Sequence, residues 1–321
     1  MKRLLLIPLL FTLCSCWDYT EPVAQNYVLG FSVDYIDDEF DVCIETVKVT
    51  GEPQSLSASD GIIIESRGVS IFDAVRDAIV LAGKKLYWGH VKVIILSETV
   101  AKEHLHSVVD VISRSPDIYS NVNLAVSRNC LARDVMYGKT PGESMVSVYI
   151  SNIIENEEPS QRFKSVELWQ LKRDFPYTLI PAISIGEHLL IDGCGVIENC
   201  SMTGYLTGTE TQIATLLTNS TLGGYLPCVK VDNATLSLEI LHTRLANSNG
   251  SCRVDMQVAL LNSDLPIDTK TVSSQDKIER AAEAVVKEQI DIIRSKPFGK
   301  ILGHQDYDIH VTLNNTGLKR G

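Results

Sequence analysis

After residue 16 the chain has no apolar run that approaches the about 20 residues needed to cross a bilayer as a helix, so the body beyond that point is expected to lie outside the membrane. Positive charge is also scarce. Twenty-nine lysines and arginines stand against 40 aspartates and glutamates, a net charge of −11. Such a surface repels phosphate backbones and anionic headgroups, which argues against nucleic-acid binding and against a polybasic membrane anchor. The sequence has no Gly-x-Ser-x-Gly elbow, no phosphate loop and no H-E-x-x-H, so the common nucleophilic, nucleotide and zinc-protease chemistries have no foothold. There is no C-x-x-C pair either. The only histidines near the cysteine-rich stretch 194–252 are His188 and His242, and no zinc site or other cofactor is expected. No internal repeat or low-complexity tract is present.

What the chain does have begins at its first residue. Met1-Lys2-Arg3 is a charged start, Leu4 to Leu13 is a short apolar core, and Ser15 is a small residue just before Cys16. This is the layout of a bacterial lipoprotein signal. The apolar core is about half the length of a transmembrane helix. Residues 1–15 are therefore expected to be removed as a signal peptide, leaving Cys16 as the lipid-bearing N-terminus. A diacylglyceryl thioether puts two acyl chains on one residue, and at about 0.8 kcal/mol per buried methylene two chains suffice for stable anchoring. Cys14 is the poorer candidate, because bulky Thr12 and Leu13 would precede the cut. Loss of Lys2 and Arg3 takes the mature chain to −13, so the lipid is expected to anchor the protein alone. Trp17 and Tyr19 fit either rings held at headgroup level or a plain tether.

Six further cysteines follow: Cys43, Cys130, Cys194, Cys200, Cys228 and Cys252. An exported location permits disulfides, with any bridges expected between 194 and 252. Buried apolar thiols are equally compatible with the pattern, and the sequence leaves the choice open.

The periodicities describe an α+β protein of two or three subdomains, built on mixed, largely antiparallel sheets with flanking helices. Tyr27 to Asp34 and Phe40 to Val49 read as a hairpin turning at Asp37-Asp38, followed by a strand at Gly61–Glu65. Ser70 caps a helix whose inward face carries Ile71, Ala74, Val75, Ala78, Ile79 and Ala82, with Gly83 as its stop. Tyr87 to Leu96 reads as one strand, Val100 to Ser113 as a helix and Asn121 to Val126 as a strand. Residues 127–178 are looser and more helical. A boundary is expected near Pro181, separating a domain over 16–180 from one over 181–321, with a further split near 226. The second part shows strand-like glycines at Gly186, Gly193 and Gly195, a turn over Met202 to Gly208, and alternation from Val229. It ends with a helix from Ser274 and a closing strand at Tyr307–Leu313.

An ordered set of short motifs now stands out. Cys16 is followed at once by Trp17-Asp18 and then Glu21. Gly30 and Asp34 lie on the first strand, Arg67-Gly68 precedes the helix with Ala74, and Tyr87-Trp88-Gly89-His90 leads into an apolar strand. Arg114 follows the next helix. Gly193-Cys194-Gly195-Val196-Ile197 and Gly204-Tyr205-Leu206-Thr207 come later. In this set the chain resembles the C-subunit lipoproteins of bacterial spore nutrient germinant receptors. The resemblance covers most of residues 13–313. It implies a non-catalytic, lipid-anchored subunit on the extracytoplasmic face of the spore inner membrane, acting in germination beside integral-membrane receptor subunits. Pro297-Phe298-Gly299 after what reads as a rather short final helix departs from the family pattern.

The residues themselves yield no catalytic constellation. Asp34, Asp37, Asp38, Glu39 and Asp41 form an acidic run that lacks the glycine and ligand spacing of a calcium loop, and it is expected to be a solvated hairpin tip. His90 could meet Glu98 or Asp110 but reads as a structural residue at the mouth of a strand. His104 and His106 point to different faces of one helix and make no metal pair. Arg114 is expected in a surface ion pair. Two other classes remain as alternatives: an extracytoplasmic solute-binding lipoprotein, which would show two similar lobes, and a lipid-anchored hydrolase.

Overall fold

In the computed structural model, which describes residues 25–50, 57–58, 61–157, 161–171, 176–219, 223–248 and 250–314, strands β1 (Gln25–Ile36) and β2 (Glu39–Thr50) form the expected hairpin. Asp37 and Asp38 both take the left-handed backbone, the two-residue turn whose twist matches paired strands. β3 (Ser57–Ala58) and β4 (Ile62–Gly68) pair with β2. Helix α1 (Ile71–Ala82) follows. Ser70 accepts the Asp73 N–H at its start and left-handed Gly83 closes it, as the capping residues predict.

The single strand expected over Tyr87 to Leu96 is in fact two. β5 (Lys85–Tyr87) and β6 (Val93–Leu96) both run parallel to β1, on the same edge. Between them the chain turns so that Trp88 is buried with its ring edge-on to Phe31, 5.6 Å between centroids. Lys92 then donates its N–H to the Leu29 carbonyl, opposite a bulge in β1. Burying an indole outweighs the continuity of one strand. The helix expected from Val100 begins as a π-wound segment, Val100–His104, and continues as α2 (Leu105–Arg114). β7 (Asn123–Ser127) extends the parallel run. Short helices α3 (Ala132–Val135), α4 (Val146–Glu155) and α5 (Leu168–Leu171) occupy the looser region.

β8 (Thr178–Ile185), β9 (Leu189–Glu198) and β10 (Ser201–Leu206) complete a ten-stranded sheet, order β10-β9-β8-β7-β6-β1-β2-β3, with β4 beside β2 and β5 beside β1. The boundary expected near Pro181 thus falls inside β8, and the sheet continues past it to Leu206. Gly204-Tyr205-Leu206, expected in a turn, lie in β10. Thr207 and Glu210 then cap α6 (Gly208–Asn219) reciprocally, each side chain accepting the other's backbone N–H, the capping-box arrangement.

The second sheet comprises β11 (Tyr225–Val231), β12 (Ala234–Ser248), β13 (Ser251–Ser263) and β14 (Asp306–Leu313), the last parallel to β13. Helix α7 (Val272–Ser295) crosses back to it. At 24 residues it is not the short helix expected from the sequence. Its buried stripe, Ile278, Ala282, Val286, Ile290 and Ile293, keeps helical spacing through four turns that carry many charges on the outside. Among the described residues seven of the twelve strand pairings are antiparallel, so the architecture is α+β on mixed sheets. α1 and α2 cover one face of the first sheet around Phe31, Ile94 and Leu124. α3 and α4 cover the other around Ile95, Ile150 and Met136. α6 and α7 pack with the second sheet. Each fully buried residue of this kind contributes about 1.5–3 kcal/mol.

Candidate functional site

Alternation along the β1–β2 hairpin puts Phe31, Val33, Val42 and Ile44 on the α1–α2 side. The intervening Ser32, Asp34, Asp41, Cys43 and Glu45 face the other side, where α3 and α4 lie. Three of these five are carboxylates, and all three are buried. This overturns part of the solvated-tip expectation. Asp37 and Asp38 are exposed at the turn, but Asp34 and Asp41 are withdrawn from water.

Each buried carboxylate has a specific occupation. Asp34 accepts the backbone N–H groups of Ala132 and Arg133, both at 2.8 Å, at the start of α3. Glu45 accepts those of Val146 and Ser147, at 2.9 and 2.7 Å, at the start of α4. These are N-caps supplied from about a hundred residues away, and they place negative charge where orphan donors and the helix dipole favour it. Asp41 sits between Arg67 Nε and Arg133 Nη1, each 3.0 Å from Oδ2. Burial pushes the Asp34 carboxyl above its ordinary 3.8, and the two N–H donors, which pull the other way, do not cancel it. Burial likewise raises the Cys43 and Cys194 thiols to about 12, far from a reactive thiolate. Hydrogen bonding to Glu65 raises the Tyr137 phenol.

The other residues singled out in the sequence are dispersed. The His90 ring lies 5.5 Å from the rings of Tyr27 and Tyr87. Glu98 pairs with Lys102 at 2.5 Å and Asp110 with Arg114 at 2.9 Å, so neither acid is engaged with His90. The Arg114 pair is the surface ion pair expected. His104 stacks on Tyr35 at 4.0 Å and meets Phe40 at 5.5 Å. The six described cysteines are all free thiols, with Cys43, Cys194 and Cys252 buried. Among the described residues no three His, Cys, Asp or Glu side chains gather to hold a metal. Cys16 lies outside the described residues.

A cleft of about 510 Å³ opens between α1 and α2, floored by Phe31 and Trp88 and walled by Phe72, Val75, Ile112 and Ile118. Phe72 is 57% exposed at its edge, with the Arg76 guanidinium 4.7 Å over the ring. An apolar cleft with a charged rim, Arg114 and Asp117, suits a side chain or helix of a neighbour rather than a reacting substrate. The sequence signal for it was Phe72, an aromatic outside the inward stripe of α1.

A family model described as the spore germination protein N-terminal domain matches residues 18–185, more than half of the chain. It ends on the last residue of β8. "Spore germination protein B3" of Bacillus subtilis (strain 168) is 22% identical over 231 residues, 68% of this chain. The match spans 61% of that relative's own length. A solved structure, "Crystal Structure of the GerBC protein", is 16% identical and aligns over 89% of this chain and 96% of its own, with a TM-score of 0.46.

Proposed function

The chain belongs to the spore germination proteins of the germinant-receptor C-subunit family, and from that premise we propose that it is a lipid-anchored, non-catalytic receptor subunit. It is held by Cys16 on the extracytoplasmic face of the spore inner membrane and works through contacts with integral-membrane subunits during nutrient-triggered germination. The family match over 18–185 carries this reading. The leader ending at Ser15-Cys16 supports the anchor, and no helix among the described residues is long and apolar enough to cross a membrane. The occupied carboxylates and protonated thiols support a role in contact rather than turnover. A solute-binding lipoprotein would have two similar lobes, whereas a ten-stranded mixed sheet here adjoins a four-stranded one. Small-molecule recognition by the assembled receptor fits the proposal equally well.

Cys16→Ala tests the anchor. The variant is expected to move from the membrane fraction to the soluble fraction and to slow nutrient germination, while keeping the folded far-ultraviolet spectrum of the parent. Two acyl chains lost at one residue remove essentially all of the hydrophobic anchoring. Retention on membranes at the parent level would refute the assignment of Cys16.

A further inference from the structure

Six of the fourteen strongly exposed large apolar side chains among the described residues fall between 69 and 87: Val69, Phe72, Ile79, Val80, Leu81 and Tyr87. Three of them are consecutive in the last turn of α1, where Val80 is 79% and Leu81 64% exposed. An amphipathic helix buries one stripe, and α1 does so with Ile71, Ala74 and Ala78. Its final turn is apolar all the way round.

The place of that turn follows from topology. β4 and β1 are both antiparallel to β2, so they run the same way. β5 is also parallel to β1, and Lys85 stands opposite Gln25. α1 joins β4 to β5, so it runs against β1, and its last turn lies at the end where β1 begins. β1 begins at Gln25, nine residues after Cys16. Nine extended residues reach at most about 30 Å. On the proposed anchoring, then, the end of the fold that carries Ile79, Val80 and Leu81 is the end tethered to the bilayer.

The segment from the last turn of α1 through β6 brings no acid to that end. From Ala78 to Ser97 the chain has no aspartate or glutamate, yet it carries Lys84, Lys85 and Lys92. This twenty-residue stretch adds no negative charge of its own to the repulsion that the net charge implies. Tyr87, 37% exposed, stands beside Tyr27 with ring centroids 5.5 Å apart. Apolar side chains, tyrosines and lysines together are the composition favoured at a membrane interface.

We propose that the C-terminal turn of α1, Ile79-Val80-Leu81, with Lys84, Lys85 and Tyr87 around it, is a second membrane contact that dips into the interface of an anionic bilayer and orients the protein on its lipid anchor. The inference rests on the anchored reading above, and it amends the expectation that the lipid acts alone. The contact is a small apolar tip rather than a polybasic patch, so it sets orientation and depth more than affinity.

The test uses the full-length mature protein in phosphatidylcholine–phosphatidylglycerol vesicles containing a bromine-labelled lipid. Val80→Trp and Ile292→Trp are compared with the parent, and the parent's tryptophan emission is subtracted. Ile292, on α7, serves as an exposed apolar position on the other sheet's helix. A tip buried about 5–10 Å below the headgroups should lose about half of its added emission to the quencher, while Ile292→Trp should keep its own. Mass analysis of the N-terminus reports the anchor separately. Lipid present with Val80→Trp unquenched overturns the membrane contact and leaves the anchor standing. Lipid absent, with no vesicle association, overturns both. A blue-shifted, unquenched Val80→Trp emission also overturns the contact, because protein then covers the tip, either another subunit, a second copy or this chain's own residues 51–60.

Discussion

Asp34→Ala is expected to lower the unfolding free energy by about 2–4 kcal/mol, since one buried and one partly buried backbone donor are left without an acceptor at about 1–3 kcal/mol each. The donors are the N–H groups of Ala132 and Arg133, both held at 2.8 Å. Urea denaturation of the full chain checks the size. Removing a desolvated charge offsets part of the loss, which is why the expectation stays below the sum of the two donors. A change under about 0.5 kcal/mol, the range typical of surface sites, would mean that Asp34 does not hold the start of α3.

The same residue makes a pH prediction of defined sign. Burial raises the folded-state pKa of Asp34 above 3.8. An acid raised in this way binds its proton more tightly folded than unfolded, so its protonation favours folding. That contribution is complete below the unfolded value and is lost as pH rises through the folded one. Asp34→Asn cannot titrate. The stability of the parent minus that of Asp34→Asn should therefore increase as pH falls from neutrality toward 3.8. A difference that shrinks over that window would show that the two N–H donors, and not burial, govern the carboxyl.

Gly193→Ala is the other substitution with a large expected effect, about 3–5 kcal/mol of destabilisation from backbone strain and overpacking together. Asp192 and Gly193 in β9 stand opposite the single residue Ala182 in β8, a β-bulge. Gly193 takes φ +78°, and a Cβ there would lie 2.0 Å from the Leu206 carbonyl oxygen, a backbone atom with no rotamer to move. The bulge turns the Gly193 N–H to the Arg162 carbonyl at 2.9 Å and leaves Asp192 on the Arg162 guanidinium at 2.6 Å. Thermal unfolding of Gly193→Ala should show a clear drop. Gly83→Ala, whose new Cβ meets open space, should lose only the cost of a left-handed alanine, about 1 kcal/mol. Equal losses in the two variants would contradict the steric argument.

Much of the local structure could be read directly. The Asp37-Asp38 turn, the Ser70 and Gly83 caps and the long alternation of β12 and β13 all depend on neighbours within a few residues, whereas the stripe expected on α1 held for Ile71, Ala74 and Ala78 but not for Ile79, which is exposed. Periodicity and capping chemistry report such neighbours. The break at Trp88, the bulge at Gly193 and the position of Pro181 inside β8 depend on what lies across the sheet. For the same reason the acidic run misled. Asp34 and Asp41 look like Asp37 and Asp38 in sequence, and only the arrival of α3 separates them.

The sequence alone determined the excess of acid, the class of fold and the family, because each is written in composition, in local periodicity or in an ordered set of short motifs, and it is the sole basis of the proposed leader and its cysteine. Tertiary structure decided which acids leave water, which glycine admits no side chain, and that the acid-free apolar turn of α1 lies at the end of the sheet where β1 begins. A strand's alternation states which side chains share a face. What covers that face comes from segments about a hundred residues away, and no local pattern encodes their arrival.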